Sequence, residues 1–82
     1  MTVFIFIDYD GAICSVSETF QVGLEDALNS LCGVGFTRQG NEYFIYDNFH
    51  PSRFIYKGKL TYKNLDTELD GALRCYLWEV LD

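Results

Sequence analysis

The first hydrophobic block constrains the fold most strongly, because two apolar runs flank a single Asp-Gly dipeptide. The block extends from Val3 to Val16 and reads VFIFIDYDGAICSV. β-Branched and aromatic residues fill Val3 to Tyr9, as is typical of strands. Asp-Gly favours a type I′ turn, whose two central residues need positive φ. We therefore predict a β-hairpin whose return strand runs from Ala12 to Val16.

The same block contains the string hhhhDxDG, where h is an apolar residue and the acids are Asp8 and Asp10. This string resembles the nucleophile motif of haloacid-dehalogenase-like phosphatases. The resemblance implies that Asp8 attacks phosphate, that Asp10 acts as general acid/base, and that Mg²⁺ is required. That family usually has Thr where this chain has Ala12, and its doubly wound sheet needs about 30 residues per βαβ unit. The hairpin is therefore favoured, with Mg²⁺-dependent phosphate handling as an alternative.

Length and composition predict one small domain over residues 1–82. The hydrophobic content of 49% and aromatic content of 17% are enough for a core and argue against disorder. Three cysteines (Cys14, Cys32 and Cys75) without a CxxC motif, together with the single His50, argue against a disulfide framework and a zinc site. We expect buried or idle thiols in a reducing compartment such as the cytoplasm. The sequence shows no signal peptide and no run of transmembrane length.

The net charge of −6 is unevenly distributed. Residues 1–37 have five acids and no base, residues 38–63 have five bases and two acids, and residues 64–82 have five acids and one base, which gives −5, +3 and −4. Nucleic-acid phosphates bind Lys and Arg, so this balance disfavours direct binding to nucleic acid. It favours a basic protein partner, or solubility alone.

A helix is predicted after the first hairpin, because apolar residues recur at the spacing of one helical face. These residues are Phe20, Leu24, Ala27, Leu28 and Leu31. Ser15 and Glu18 have the spacing of a capping box, and Ser17 is an alternative N-cap. Gly33 is expected to end the helix, and Gly23 inside it lowers its helix propensity.

Two further hairpins are predicted downstream, where β-forming runs flank glycine-containing turns. The first pairs Val34 to Arg38 with Glu42 to Asp47. The second pairs Arg53 to Tyr56 with Lys59 to Tyr62. The segment between the hairpins, Asn48 to Ser52, is expected to be a loop.

The C-terminal segment predicts a second helix with a continuous apolar stripe. The stripe consists of Leu65, Leu69, Leu73, Tyr76, Leu77 and Val80. Asn64 or Asp66 would cap this helix, and acids in its early turns suit the helix dipole. The predicted fold is α+β, an antiparallel sheet of four to six strands with two helices packed on one face, in the order ββα-ββ-ββα.

Both faces of the first strand are apolar, with Phe4 and Phe6 on one and Val3, Ile5 and Ile7 on the other. In a two-layer fold the sheet face away from the helices should be partly polar. Either the helices straddle this strand, as in an ordinary central strand, or a partner covers its second face. Phe4 and Phe6 are therefore candidate partner-binding residues in a homodimer or a target interface.

The predicted last helix places Trp78 opposite its apolar stripe, at about 100° per residue, on the same outer face as Arg74. Trp and Arg are typical interface anchors, although Trp78 packed on a sheet edge is an equal alternative. A face of carboxylates can also imitate nucleic-acid phosphates, although a solvated acidic surface is the commoner role of such residues. The candidate acids are Glu25, Asp26, Glu68, Asp70, Glu79 and Asp82.

These features predict a small acidic protein that binds another protein as an inhibitor or adaptor, not an enzyme, without a cofactor and without binding to nucleic acid or membrane. In size, acidity and aromatic content it resembles in type the small phage-encoded inhibitors of bacterial defence, such as anti-CRISPR or anti-restriction proteins, and bacterial immunity proteins. The resemblance implies that it blocks a basic, nucleic-acid-binding surface of its partner, in the cytoplasm of a bacterium or of a phage-infected host cell. The alternatives are the phosphate-handling enzyme above and a purely structural, self-associating domain.

Overall fold

The computed structural model describes residues 1–47, 54–69 and 71–81, which form an α+β fold of two three-stranded antiparallel sheets and two helices. The elements are β1 (Thr2–Asp8), β2 (Ile13–Ser17), α1 (Phe20–Ser30), β3 (Val34–Gln39), β4 (Glu42–Asp47), β5 (Phe54–Lys59), α2 (Leu65–Glu68) and β6 (Leu73–Glu79). Sheet 1 has the strand order β2-β1-β6, and sheet 2 has the order β3-β4-β5. The predicted α+β class is confirmed, but the single sheet is wrong.

The first hairpin is confirmed and forms two of the three strands of sheet 1. Strands β1 and β2 pair antiparallel, with Ile5 opposite Val16 and an irregularity in register after Phe6. The connecting turn is closed by a hydrogen bond from the Asp8 amide to the Ala12 carbonyl, 2.9 Å long. Gly11 has a φ of 86°, a conformation that glycine adopts without steric cost. The Asp-Gly signal thus identified the turn correctly.

Helix α1 is confirmed in position, but its predicted caps are wrong. Its N-cap is Thr19, which makes no side-chain capping hydrogen bond. The Ser17 hydroxyl instead accepts a hydrogen bond from the Thr19 amide (3.1 Å), and the Ser15 hydroxyl donates to the Gly23 carbonyl (2.6 Å). Both serines therefore attach the helix to strand β2 rather than cap it.

Gly23 allows α1 to approach strand β1 closely. A Cβ atom at this position would lie 2.6 Å from Cε1 of the Phe6 ring, a distance that real Cβ atoms essentially never show. The glycine that lowers helix propensity is thus required by packing. The contact also establishes that the Phe6 side of sheet 1 faces the helix.

Sheet 2 is a meander, and its first hairpin was predicted with nearly the correct ends. Strands β3 and β4 pair from Val34 opposite Asp47 to Gln39 opposite Glu42. The predicted third hairpin is wrong, because β5 continues straight through Gly58 as one strand paired with β4. Arg53 and the predicted loop from Asn48 to Ser52 lie outside the described residues.

The predicted C-terminal helix is wrong after its first turn. Helix α2 ends at Glu68, and the chain reverses through Gly71, whose φ is 76° and whose amide donates to the Asp66 carbonyl at 3.0 Å. From Leu73 onwards the chain is strand β6, which pairs with β1 along its whole length. Asn64 holds the N-cap position, but its Oδ1 accepts from the Thr61 amide (2.8 Å) rather than capping the helix.

The core lies between the two sheets and the two helices. It draws one face from each sheet and the apolar side of each helix, which explains why α1 is buried along a single stripe. The buried residues of this cluster are Phe6, Leu24, Ala27, Leu28, Tyr43, Ile45, Leu60, Leu65, Leu69 and Leu73. Only one face of sheet 1 takes part, so its other face is turned away from the core.

Candidate functional site: the open face of sheet 1

Strand register identifies the residues that lie on the face of sheet 1 away from α1. Residues directly opposite each other in an antiparallel pair project to the same face. Because Phe6 contacts α1, its neighbours Ile5 and Ile7 project to the other side. Their partners on β6 are Tyr76 and Arg74, respectively. We call this surface the open face, and its apolar residues are Val3, Ile5, Ile7, Ile13, Val16, Tyr76 and Trp78.

The open face exposes large apolar side chains on β2 and β6, while the residues of β1 between them are buried or partly buried. The exposed fractions are 64% for Ile13, 56% for Val16, 47% for Tyr76 and 61% for Trp78. Helices α1 and α2 do not cover them, because both helices pack into the core on the opposite side. Contiguous exposed apolar patches on soluble domains commonly mark interaction sites. The open face is therefore the strongest candidate for a binding surface among the described residues.

A shallow depression of about 300 Å³ extends the open face toward the β1–β2 turn. It is lined by Ile7, Asp8, Tyr9, Gly11, Gly71, Arg74 and Tyr76. The guanidinium of Arg74 donates from Nε to Asp66 Oδ1 at 3.0 Å, and both side chains are more than half exposed. Such a surface ion pair contributes little to stability, about 0–1 kcal/mol. Arg74 thus places a weakly held positive charge at one end of an apolar surface.

Asp8 and Asp10, the acids of the phosphatase-like string, lie in the turn beside this depression. Asp8 Oδ1 accepts hydrogen bonds from the amides of Asp10 and Ala12, each 2.9 Å long. A carboxylate that binds its own backbone in this way stabilises a turn. Within the described ranges, no three His, Cys, Asp or Glu side chains are grouped so that they could hold a metal ion. The geometry therefore gives Asp8 a structural explanation.

Phe4 and Phe6, which we predicted as partner-binding residues, lie on the helix side of sheet 1. Phe6 is fully buried in the core, so it presents no surface to a partner, and its predicted role as a contact residue is wrong. The Phe4 ring is partly buried, 5.6 Å from the Phe20 ring and 6.2 Å from the Tyr62 ring. The open face of β1 is formed instead by the alternate residues Val3, Ile5 and Ile7, of which Val3 is buried and the other two are partly buried.

Trp78 and Arg74 lie on the same face of β6, on either side of Tyr76. Their shared outward orientation results from the two-residue period of a strand rather than from a helix. Val3 lies opposite Trp78 and is buried, yet it does not belong to the core cluster. The structure therefore brings Trp78 and Arg74 together with the open face.

The predicted acidic residues do not form one surface. Glu25 Oε2 accepts hydrogen bonds from Arg38 Nη1 (2.6 Å) and from the Tyr43 hydroxyl (3.0 Å), so its charge is paired internally. Burial, and then the hydrogen bond to Glu25, raises the pKa of Tyr43 to about 12. The terminal amine of Met1 lies 3.7 Å from Oε2 of Glu79, so the charge of this acid is also partly paired within the chain.

The remaining predicted acids are separated in the fold. Asp26 is exposed on α1, and Glu68 is partly exposed at the end of α2. Asp70 and Asp82 lie outside the described residues. The phosphate-mimicking face that we expected from two acidic helices therefore loses its main support, since the second helix is a single turn and Glu79 lies on a strand.

Sequence reasoning missed Ile13, Val16 and Tyr76 as members of the open face. A signal for Val16 was present, because a tight Asp-Gly turn places it near Ile5 in the return strand. No comparable signal existed for Tyr76, since its segment was interpreted as a helix. The exposed aromatic pair of β6 became visible only once β6 was placed beside β1.

Comparisons of this chain with protein-family models, with curated proteins and with solved structures give no match. Among the described residues, no helix combines the length and the apolar character that crossing a membrane requires.

Proposed function

We propose that this protein acts as an inhibitor or adaptor by binding another protein through the open face of sheet 1. The observation that carries the proposal is the exposure of four large apolar side chains on β2 and β6, the two strands that flank β1 in sheet 1. These are Ile13, Val16, Tyr76 and Trp78. Tyr and Trp are enriched among the residues that dominate binding energy, and truncating such an anchor commonly costs about 2 kcal/mol or more. Trp78 and Tyr76 are therefore the proposed anchors.

The charges near the open face favour a basic partner. Asp8 and Asp10 lie in the turn at one end, and Glu18 follows β2. The one nearby cation among the described side chains, Arg74, is paired with Asp66. Together with a net charge of −6, this arrangement suits a partner that surrounds an apolar patch with Lys and Arg. The nucleic-acid-binding surface of a protein has this chemistry, because it binds phosphates.

In the proposed mechanism, the acidic side chains and the aromatic anchors act at different steps of binding. Acidic side chains around the face accelerate encounter with a basic surface, and this effect weakens as salt screens it. The aromatic anchors then bury apolar area and slow dissociation. Inhibition would follow from occupation of the partner's basic surface, whereas an adaptor would leave it active.

The central experiment compares matched pairs of substitutions on the two sheets. The open-face variant carries both Trp78→Thr and Tyr76→Thr. The control variant carries both Ile55→Thr and Tyr46→Thr, which alter exposed residues of sheet 2. Each immobilised protein is exposed to bacterial lysate, and the captured proteins are identified by mass spectrometry. A protein held by the wild type and the control, but not by the open-face variant, is then purified.

Binding of that purified protein is measured by calorimetry. We expect the dissociation constant to rise at least tenfold for the open-face variant and to stay within about twofold for the control, which corresponds to a loss of about 1.4 kcal/mol or more. Equal affinity for all three proteins would contradict the proposal.

The electrostatic part of the mechanism has its own test. Asp10 lies at the end of the open face, and Asp10→Lys reverses its charge. Glu42→Lys makes the same change of charge on sheet 2. We expect Asp10→Lys to slow association and to flatten its salt dependence, with a smaller effect from Glu42→Lys. If both variants had identical salt profiles, only net charge would matter, and the proposed orientation would be wrong.

A further inference from the structure

Strand β6 is an edge strand whose outward backbone groups can be assigned from one hydrogen-bonded pair. The Val80 amide donates to the Met1 carbonyl at 2.7 Å, and the Met1 amine donates to the Val80 carbonyl at 3.1 Å. This pair continues the β1–β6 register, and hydrogen-bonded pairs alternate along an antiparallel ladder. The backbone groups of Arg74, Tyr76 and Trp78 therefore face β1. Those of the intervening residues, namely Leu73, Cys75, Leu77 and Glu79, face the outer edge of β6, with which no strand of the described residues pairs.

The edge of β6 lacks the features that usually prevent strands from pairing between molecules. Such features include edge lysines, bulges and short length. Strand β5 carries Lys57 and Lys59, and β2 is short and has a register irregularity. In contrast, β6 has seven residues, and its middle, from Cys75 to Trp78, is uncharged. Leu77 is exposed on one face of β6, while Tyr76 and Trp78 are exposed on the other.

We propose that β6 pairs antiparallel with β6 of a second copy of the chain, about a twofold axis at Tyr76. Two copies of sheet 1 then form one six-stranded sheet, and their open faces become continuous. This inference concerns the edge of the sheet, whereas the proposed function concerns its face, so each can hold without the other.

The sequence of β6 is self-complementary about Tyr76. With Tyr76 opposite its copy, all of β6 overlaps, since Leu73 then lies opposite Glu79. Arg74 lies opposite Trp78 of the second copy, and this pair occurs twice. A guanidinium over a Trp ring is a favourable cation–π contact, worth about 0.5–1 kcal/mol at exposed sites. No two charges of equal sign are directly opposed, which matters for a chain with a net charge of −6.

Hydrogen-bonded and non-hydrogen-bonded pairs alternate along the new ladder, and the Arg74–Trp78 and Tyr76–Tyr76 contacts are of the second kind, in which side chains lie closer together. Residues facing β1 form the non-hydrogen-bonded pairs of the new ladder, with Cα atoms about 4.5 Å apart and side chains close together. Tyr76 is paired with Tyr76 of the second copy in this way, on the open face. The hydrogen-bonded pairs join Cys75 to Leu77 on the opposite face.

Other symmetric registers satisfy these conditions less well. An axis at Leu77 limits the overlap to residues 75–79 and moves Arg74 opposite Val80. An axis at Cys75 limits it to residues 73–77 and moves Trp78 opposite Ala72. Only the axis at Tyr76 combines full overlap with both Arg–Trp pairs.

Disulfide trapping tests the register directly. A Cys32→Ser background removes the exposed native thiol, and Tyr76→Cys is added to it. Cα atoms about 4.5 Å apart are within the range that a disulfide spans, so we expect rapid formation of a covalent dimer under mild oxidation. Ile55→Cys, on the edge strand of sheet 2, is the control and should remain monomeric.

Two further cysteine variants separate this register from others. In the proposed dimer, the two copies of Arg74 are about 13 Å apart along the strands, at about 3.3 Å per residue. Neither Arg74→Cys nor Trp78→Cys alone should form a dimer, but an equal mixture of the two should form a heterodimer. A heterodimer yield no higher than either homodimer yield would overturn the register.

Sedimentation over a wide range of concentrations tests association in the unmodified chain. We expect a monomer–dimer equilibrium, accompanied by a blue shift in the emission of Trp78, the only tryptophan. Leu77→Pro removes one outward amide without removing a β1–β6 hydrogen bond, so it should shift the equilibrium to monomer by at least tenfold. Leu77→Lys, which keeps the amide but adds an edge charge, is the second variant in case the proline disturbs folding, and circular dichroism checks both.

The outcomes separate this proposal from the proposed function. A wild type that stays monomeric, with no Tyr76→Cys dimer, would overturn the pairing and leave binding through the open face untouched. A dimer that is insensitive to both Leu77 variants would place self-association elsewhere and would also overturn it. Conversely, a Leu77→Lys variant that is monomeric but still binds the purified partner would support the pairing. It would also show that the open face of a single copy is enough for binding.

Discussion

Sheet 1 and sheet 2 are both three-stranded and antiparallel, and each packs one face against the same core. Their outer faces differ. In sheet 2, exposed Tyr46 and Ile55 have polar neighbours such as Thr37 and Lys57. In sheet 1, the centre of the open face is entirely apolar. Sheet 2 shows that this fold can solvate an outer sheet face with ordinary polar residues, so stability of the fold does not explain the composition of the open face.

If the inner faces are equivalent, removing a central side chain from either sheet should have a similarly large effect. Phe6→Ala in sheet 1 should lower the free energy of unfolding by about 3–5 kcal/mol, and Ile45→Ala in sheet 2 by about 2–5 kcal/mol, because both side chains are fully buried. Urea denaturation measures both values. A loss below about 1 kcal/mol for either would show that its sheet is not coupled to the common core.

Two glycines should respond in opposite directions to an added methyl group: Gly23 of α1, which packs on sheet 1, and Gly35 of sheet 2. Gly23→Ala should lower the free energy of unfolding by about 1–3 kcal/mol, since the new Cβ would meet the Phe6 ring. At Gly35 in β3, nothing lies within 4 Å of the point that an added Cβ would occupy, so Gly35→Ala should be neutral or stabilise by up to about 1 kcal/mol. Thermal denaturation of both variants tests the contrast, and stabilisation by Gly23→Ala would disprove the close approach of α1.

Alkaline pH should distinguish the sheets through one residue in each. Burial raises the pKa of Cys75 in sheet 1 from 9.0 to about 12 and that of Tyr43 in sheet 2 from 10.0 to about 12. Because each group has a higher pKa in the folded chain than in the unfolded chain, the folded chain favours its neutral form. The stability that depends on this neutral form is fully present below the unfolded-state pKa and is lost as the pH rises through the folded-state pKa. Stability should therefore fall from about pH 9, with Cys75 contributing first and Tyr43 from about pH 10.

Single substitutions assign the two parts of this pH dependence. Cys75→Ala should remove the part that begins near pH 9, and Tyr43→Phe the part that begins near pH 10. Urea midpoints measured across this range provide the test. An unchanged profile in Tyr43→Phe would show that its hydroxyl is not desolvated beside Glu25.

The smallest effect on stability is expected at the outer faces. Trp78→Thr and Tyr46→Thr should each change the free energy of unfolding of the monomer by less than about 1 kcal/mol, because both side chains are exposed. Measurement at low protein concentration excludes effects of self-association. A much larger loss for Trp78→Thr would mean that the open face stabilises the fold itself.

The first half of the fold was predictable because its signals are local. Asp-Gly determined the turn after β1, and apolar residues such as Leu24 and Leu28 at helical spacing identified α1. Gly40 marked the turn between β3 and β4. Each signal lies within a dozen residues of the element that it specifies, so no tertiary contact was needed to interpret it.

Strand β6 was mispredicted because its residues are apolar on both faces. Leu73 and Leu77 point to the core side while Tyr76 lies on the open face, so the strand shows no alternation of apolar and polar residues. The same residues, together with Leu65 and Leu69 of the preceding turn, happen to match a helical stripe. Gly71 and the β-forming residues after it carried the opposing signal, which pairing with β1 made decisive.

The candidate site was half predictable. Two apolar faces on β1 indicated that one face would need a cover, but the sequence does not state which face α1 occupies. That choice depends on the absence of a side chain at Gly23 opposite Phe6, a contact between residues far apart along the chain. Trp78 was correctly expected to point away from the core, but for a helical reason that the structure replaces.

The pairing of β1 with β6 has a consequence for how the protein folds. Sheet 2 joins strands that follow one another closely along the chain, so its meander closes at low entropic cost. Sheet 1 is completed only when residues 73–79 reach the first strand, and such non-local closure slows folding. During synthesis, β1 leaves the ribosome before β6, so one edge of β1 stays unpaired until β6 has been made. In this interval chaperones or aggregation would compete with the native fold for the exposed apolar edge.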